Sequence, residues 1–249
     1  MRNRGEPGLV RGNGRSTEPS LGSRRGSDEG RPYRGLSPEA RRSERRRRLL
    51  DAGLQLFGTN GYANTSIEQI CSMASVTTRH FYEEYGCREE LLKSTYTEIV
   101  MSASRAVSEA VESAAFFLEA RIRAGITAYL HTMLDDARKA RIFCVEVVGV
   151  SPEMEAHRRA VVHLMAGMTQ YYADQLRVSE AVGFPEGLNF TFTTLHLVGG
   201  TNELMVEWMM GGQRVPLDDL IEDVVRIYLT VGSPLLGYTP EVAGGITIS

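Results

Sequence analysis

The chain has 249 residues, with 28 Lys and Arg against 31 Asp and Glu and 42% hydrophobic residues, the make-up of a soluble globular protein rather than a disordered one. Its formal charge of −3 hides a division: 14 Arg and 6 acids up to Arg48, giving +8, and a balance of −11 from Leu49 onward. A basic head on an acidic body predicts a polyanionic partner for the head. Cys71, Cys87 and Cys144 are too few for a disulfide framework and show no CxxC spacing. They read as reduced thiols, Cys71 and Cys144 filling core space. No apolar run approaches the roughly 20 residues of a membrane span. No apolar segment follows Arg24-Arg25, so no secretory signal is expected, and the reading is a cytoplasmic protein without a membrane partner.

Residues 1–40 are expected to form a disordered basic tail. Up to Ser37 they hold eight Gly, three Pro and eight Arg, too little apolar surface to offset the entropy of ordering. From Pro38 the periodicity is helical, with no alternating strand segment and no internal repeat, so the fold class is all-α. Leu49, Gly53, Leu56 and Leu50, Leu54, Phe57 form two interleaved stripes of a first helix, ended by Asn60-Gly61. Ile67, Ile70, Cys71 and Ala74 mark a short second helix, opened by a Ser66/Gln69 capping box. A third begins near Thr77, a competent N-cap.

After Gly86 a long helix carries Leu92, Tyr96, Ile99, Ala103, Ala106 and Ala110 on one seam. Five further helices follow. Phe117–Ala137 and Ala140–Val150 come first, the latter apolar on nearly every side and so expected at the centre. Ser151-Pro152-Glu153 opens the next, whose seam is Val161, Met165, Met168, Tyr172 and Leu176 and which Gly183-Phe184-Pro185 breaks. The last two are Leu188–Met210 and Leu217–Val231, and 233–249 is expected to be a flexible tail.

Two short helices joined by a tight turn make a helix-turn-helix. In the second, Val76, Phe81 and Tyr85 are the apolar positions. At about 100° per residue, Arg79 then points away from Phe81, with Thr78 and Tyr82 beside it. Arg can bond guanine O6 and N7 together, Thr can meet a thymine methyl, and a Tyr hydroxyl suits phosphate. The alternative is a merely solvated face on a small bundle. Thr65 and Ser66 at the start of the second helix, the Arg45–Arg48 cluster and Arg88 stand where phosphate clamps would. Glu83 and Glu84 count against the reading unless they face away. From Arg41 to Thr97 the balance is nine basic to seven acidic residues, so bulk charge does not identify the module.

Residues 43–97 closely resemble the DNA-binding domain of the tetracycline-repressor (TetR) family of bacterial transcription regulators. The resemblance is carried by Leu49-Leu50-Asp51-Ala52, Leu56-Phe57, Gly61-Tyr62, Thr65-Ser66-Ile67, Ile70, Ala74-Ser75-Val76-Thr77, Phe81-Tyr82, Tyr85 and Arg88-Glu89-Glu90-Leu91-Leu92. It implies a helix-turn-helix domain over 41–97 and a helical ligand-binding and dimerisation domain over 98–232. It also implies a double-stranded DNA operator, a small-molecule effector and a second copy of the chain as partners. The DNA-binding set is then Arg46, Arg47, Thr65, Ser66, Thr77, Thr78, Arg79, His80, Tyr82 and Arg88, with Thr77 to Tyr82 in the major groove and Tyr82 and Arg88 on phosphates. Ser75 stands where the family has a turn glycine, so backbone strain is expected there. Cys71 replaces an alanine, and Arg88 a lysine.

In the body, polar residues inside apolar seams are the informative ones. Glu146 sits within the most apolar segment and Asn202 on a hydrophobic stripe; a buried carboxylate needs a partner. With Phe117, Tyr129, Met133, Phe143, Met165, Met168 and Tyr172 they are the pocket candidates, against the alternative that such stripes are ordinary core. Phe190 and Tyr171 have the same character. The helix near 188–210 is apolar on two sides and, with the Leu217, Leu220, Val224, Tyr228, Val231 stripe, suits a four-helix dimer interface. His157 and His163 have the wrong spacing for a metal site, and no phosphate loop, G-x-S-x-G or H-E-x-x-H occurs. The expectation is a non-enzymatic regulator acting as a repressor, without metal or cofactor. The competing readings are a helical small-molecule carrier whose first domain does not read DNA, and a bundle enzyme with Glu146 as base.

Overall fold

In the computed structural model, residues 37–179, 189–212 and 214–235 are described. The Arg24-Arg25 pair, most of the expected tails, the Gly183-Phe184-Pro185 break and Leu188 lie outside them. The described residues are all-α: α1 Pro38–Thr59, α2 Ile67–Ala74, α3 Thr78–Glu84, α4 Arg88–Ser113, α5 Leu118–Leu134, α6 Ala137–Arg141, α7 Pro152–Ser179, α8 Phe190–Met210 and α9 Leu217–Leu235. A π-helical turn, Ile142–Glu146, continues α6.

Local signals set most of the ends. Ser37 caps α1 by accepting from the Ala40 N–H, so that helix starts at Pro38, three residues inside the expected tail. The Ser66/Gln69 capping box closes in both directions, and Thr77 caps α3. Ser151 accepts from the Met154 N–H ahead of Pro152, as its Ser-Pro-Glu pattern predicts. Asn189 caps α8, a signal the sequence reading passed over.

The segment between α5 and α7 differs from expectation. Asp136 caps a new helix, accepting from the Arg138 N–H, so the chain breaks at Asp135-Asp136 instead of at Ala137. The expected central helix over 140–150 is instead one turn of α6 plus the π turn, ended near Gly149 at φ 72°. Val145 and Val148 are exposed there, so this apolar segment is not buried all round in the fold. Wider π winding rotates successive side chains by less than an α-helix does, which moves the buried set off the pattern read at 100° per residue.

The described residues from Ser37 onward form one compact unit, and one hydrophobic cluster runs through it from Leu49 to Tyr228. Leu49, Phe57, Ile70 and Phe81 pack the first three helices against Leu91 and Leu92 of α4, whose buried seam continues through Tyr96, Ile99 and Ala103 into α5 and the π turn. Glycine admits the closest approach. A Cβ on Gly58 would stand 2.4 Å from the Cβ of Arg138, so α1 and α6 touch there through bare backbone.

Candidate nucleic-acid interface and cavity

α3 is seven residues long and stays helical because its back is buried. Val76, Phe81 and Tyr85 are buried, while Thr77, Thr78, Arg79 and Tyr82 are exposed, as the helical projection predicts. The Arg79 side chain is 88% exposed, and its Nε donates to Glu83 Oε1 at 3.1 Å. Such an exposed pair contributes little, so the guanidinium is free to exchange partners. Tyr82 is 54% exposed. His80 is half-buried, its Nδ1 lying 3.0 Å from Thr77 Oγ1.

The turn before α3 is held from α1. Ser75 adopts φ 51°, ψ 47°, the one left-handed non-glycine among the described residues, as expected from serine at this turn. That conformation costs on the order of 1 kcal/mol or more. Arg48 Nη1 donates to Ala74 O at 3.1 Å and to Ser75 O at 3.3 Å, gripping both sides of the strained residue. The far end of α3 is anchored by Glu84, whose side chain is 1% exposed and accepts from Arg42 Nε at 3.0 Å and Arg45 Nη2 at 3.3 Å. Glu84 therefore faces α1, away from the exposed front.

The arginine cluster does not point one way. Arg45 and Arg48 turn inward, Arg46 lies over the Tyr85 ring at 5.2 Å, and Arg47 is exposed between Glu44 and Asp51 at 2.8 Å each. Four consecutive helical residues span nearly a full circle, so they cannot all clamp one phosphate backbone. Arg88 also has inner partners: it stacks over Tyr62 at 4.2 Å and donates to the Thr65 carbonyl. Thr65 is buried, its hydroxyl donating to Gly61 O at 2.8 Å, and Ser66 is engaged in its capping box.

Glu146 joins the body to this segment. Its carboxylate, 12% exposed, accepts from Arg141 Nε at 2.8 Å and from the Tyr62 N–H at 2.7 Å. Arg141 Nη1 donates to Thr59 O at 2.8 Å, so the pair clasps the turn on both sides of Gly61, which sits at φ 89° and where a Cβ would stand 3.1 Å from Glu146 Oε2. Glu146 does not face the cavity.

That cavity lies among α4, α5, α7, α8 and α9, and a water molecule's centre can range over about 160 Å³ of it. Tyr129, Met165, Met168 and Tyr172 line it, as does Phe190. The other candidates lie elsewhere. Met133 is core, Phe143 stacks on Tyr96 at 5.3 Å, Phe117 is exposed ahead of α5, and Asn202 stands behind the wall, accepting from Tyr129 Oη at 2.7 Å. Tyr171 is exposed. Burial raises the Tyr129 phenol well above its ordinary range and the Tyr228 phenol to about 12, so both wall tyrosines stay neutral. Thr201 donates toward Tyr228 Oη at 3.3 Å.

Sequence reasoning missed Arg121, which lines the cavity. A signal existed: Leu118, Ile122, Gly125 and Tyr129 share one face of α5, and a cation at 121 borders it. His157 Nε2 is 3.0 Å from Thr97 Oγ1, joining α7 to α4, and among the described residues no group of three or more His, Cys, Asp or Glu could hold a metal. Burial raises the Cys71 thiol and brings that of Cys144 to about 12. No described helix is long and apolar enough to cross a membrane.

Residues 49–95 match the model of bacterial regulatory proteins of the tetR family. No curated protein matches the chain in sequence. Among solved structures, a protein of Syntrophomonas wolfei described as a TetR-family transcriptional regulator aligns at a TM-score of 0.66 and 18% identity, over 81% of this chain and 99% of its own. The regulator FadR of Bacillus subtilis in complex with stearoyl-CoA aligns at 0.63 and 19%, over 75% and 98%. AibR in complex with isovaleryl coenzyme A and operator DNA aligns at 0.57 and 17%, over 74% and 97%. At these identities the likeness is one of fold, and it extends from the helix-turn-helix through the helical body.

Proposed function

We propose, from the premise that residues 49–95 are a tetR-family segment, that this chain is a ligand-responsive DNA-binding transcription regulator. In this reading 41–97 reads DNA and 98–232 binds the effector and a second copy of the chain. The observation that carries it is the exposed row Thr78, Arg79, Tyr82 on a helix whose back is sealed by Phe81 and Tyr85. Arg79 exchanges Glu83 for a guanine edge, Thr78 meets a neighbouring base and Tyr82 a phosphate, with Thr77 and His80 at the margin. Arg46 and Arg47 supply charge nearby. Thr65, Ser66 and Arg88 shape the support, their polar groups being engaged internally.

A homodimer is supported by the outer face of α8. Phe192 and Met210 are 70% and 73% exposed, Leu204 is exposed, and nothing lies within 4 Å of the Cβ positions of Gly199 and Gly200. Two copies joined there present two α3 helices to successive major grooves of a palindromic operator. The cavity takes a small, largely apolar effector, and the bound acyl-coenzyme A compounds of FadR and AibR support that class. The protein then acts as a repressor. Effector binding tilts α4, which reaches from the cavity to Arg88, and the Glu146 clasp passes the shift to the α1–α2 turn. A hundredfold change in operator affinity needs a preference of about 2.7 kcal/mol between the two states.

Selection of bound sequences from random duplex DNA tests the reading, followed by footprinting of the selected site with and without candidate effectors. An inverted repeat, released by a compound that binds the body, is expected. Binding of the compound with no sequence selected from the pool would make the chain a carrier instead.

A further inference from the structure

The cavity wall is apolar for most of its extent, and Arg121 is the one charged residue among its described lining residues. Its Nη1 donates to the neutral Gln175 Oε1 at 3.1 Å, and its guanidinium lies over the Phe116 ring at 4.0 Å. Its Nε is buried with no hydrogen-bond partner, and no described carboxylate forms an ion pair with it. A half-buried guanidinium whose described partners are an amide and a ring is short of an anion. Eight residues further along α5, about 12 Å by helical rise, the wall offers the phenols of Tyr129 and Tyr228 and the Thr201 hydroxyl. These are neutral, and all three are already engaged, Tyr129 donating to Asn202 and Thr201 to Tyr228, which leaves the Tyr228 hydroxyl proton to donate. One end of the cavity thus suits an anion, the middle a hydrocarbon, and the far end at most one more neutral hydrogen-bonding group.

We infer that the effector is an anionic amphiphile that enters tail first and leaves its negative head on the Arg121 guanidinium, its chain running along α5 toward Tyr129. The assignment rests on the reading of the cavity as the effector site and adds the charge and orientation of what fills it. Arg121 meets the head with guanidinium N–H groups that Gln175 does not occupy, the donors that a carboxylate or a phosphate accepts from. The head comes either from a free fatty acid or from the phosphates of an acyl thioester such as an acyl-coenzyme A, and both supply the same oxyanion.

Calorimetric titration of the full-length protein separates these points, with decanoate, decanol and decanoyl-coenzyme A as probes against wild type, Arg121→Met and Arg121→Lys. Wild type is expected to bind decanoate at least tenfold more tightly than decanol. Arg121→Met should erase that preference by weakening decanoate while leaving decanol within about threefold, and Arg121→Lys should restore part of it. Retained decanol binding shows that the Met variant is folded. Tighter binding of decanoyl-coenzyme A, also lost in Arg121→Met, identifies the thioester as the source; otherwise the free acid is. Equal affinity of wild type for acid and alcohol, or an equal loss of both in Arg121→Met, overturns the head-group assignment and leaves the cavity reading standing. No binding of any of the three overturns both.

Discussion

The three N-terminal helices and the helical body use their polar groups in opposite ways. Around α3 the charged side chains are nearly all matched: Glu84 with Arg42 and Arg45, Arg48 with two carbonyls, Arg88 with Tyr62 and Thr65, and Arg79 with Glu83. The body instead encloses a space, leaves the Arg121 Nε unpartnered and exposes Phe192 and Met210. On the proposed function, a surface that presents the same row of side chains to every operator benefits from being held by many fixed bonds. A wall that must accommodate a visiting molecule keeps unmet demands. On that reading rigidity and incompleteness serve different places in the molecule.

Substitutions can break this contrast, the largest effect coming from the best-fixed residue. Phe81→Ala removes a fully buried ring and is expected to cost about 3–5 kcal/mol in denaturant unfolding. A loss below 1 kcal/mol would show that α3 is not held by its back. Glu84→Ala leaves Arg45 half-buried without its carboxylate and should cost about 2 kcal/mol, moderated by the exposure of Arg42. Glu146→Ala should cost about 1–2 kcal/mol by orphaning Arg141 and the Tyr62 amide. Glu146→Gln, which keeps an acceptor, should cost less. Either variant should also reduce the effect of effector on operator affinity, measured by gel shift at saturating effector.

Arg79→Ala should leave stability within about 0.5 kcal/mol while costing about 1–3 kcal/mol of specific operator binding and relaxing the preferred sequence. A parallel loss of stability would place Arg79 among the supports. The smallest effect belongs to His157, whose ring is held below its ordinary pKa first by burial and then by Lys93. The unfolded chain then binds the proton more readily, so stability is full above the ordinary histidine value and declines as pH falls through the folded one. His157→Asn should flatten the acid side of the stability profile in thermal unfolding; an unchanged slope would remove His157 from it.

What could be read from sequence follows the distance over which each bond acts. The Ser66/Gln69 box, the Thr77 cap and the Ser151-Pro152 start act within three residues. The front of α3 needed only a helical projection, and the strain at Ser75 only the absence of a glycine. The head-side partners that place Arg45, Arg48, Arg88 and Glu146 lie 23 to 84 residues away, so a run of arginines that looked like phosphate clamps could not be resolved into supports and surface. In the body, Tyr129, Met165, Met168 and Tyr172 have the same composition as Met133 and Phe143. Whether such residues face a cavity or a neighbour depends on how five helices meet, which periodicity within one helix does not encode.

The clasp at the α1–α2 turn touches only main-chain atoms of that turn: the Thr59 carbonyl and the Tyr62 amide, around a glycine that leaves room for the carboxylate. A joint of this kind is blind to the side chains of the segment it grips. On the proposed function, the residues that choose an operator can diverge without loosening this joint, provided position 61 stays glycine. On the proposed function, a head with a different front on α3 should therefore be exchangeable on this body, provided it keeps the core side chains packed on α4 and the Gly58 and Gln55 contacts to Arg138.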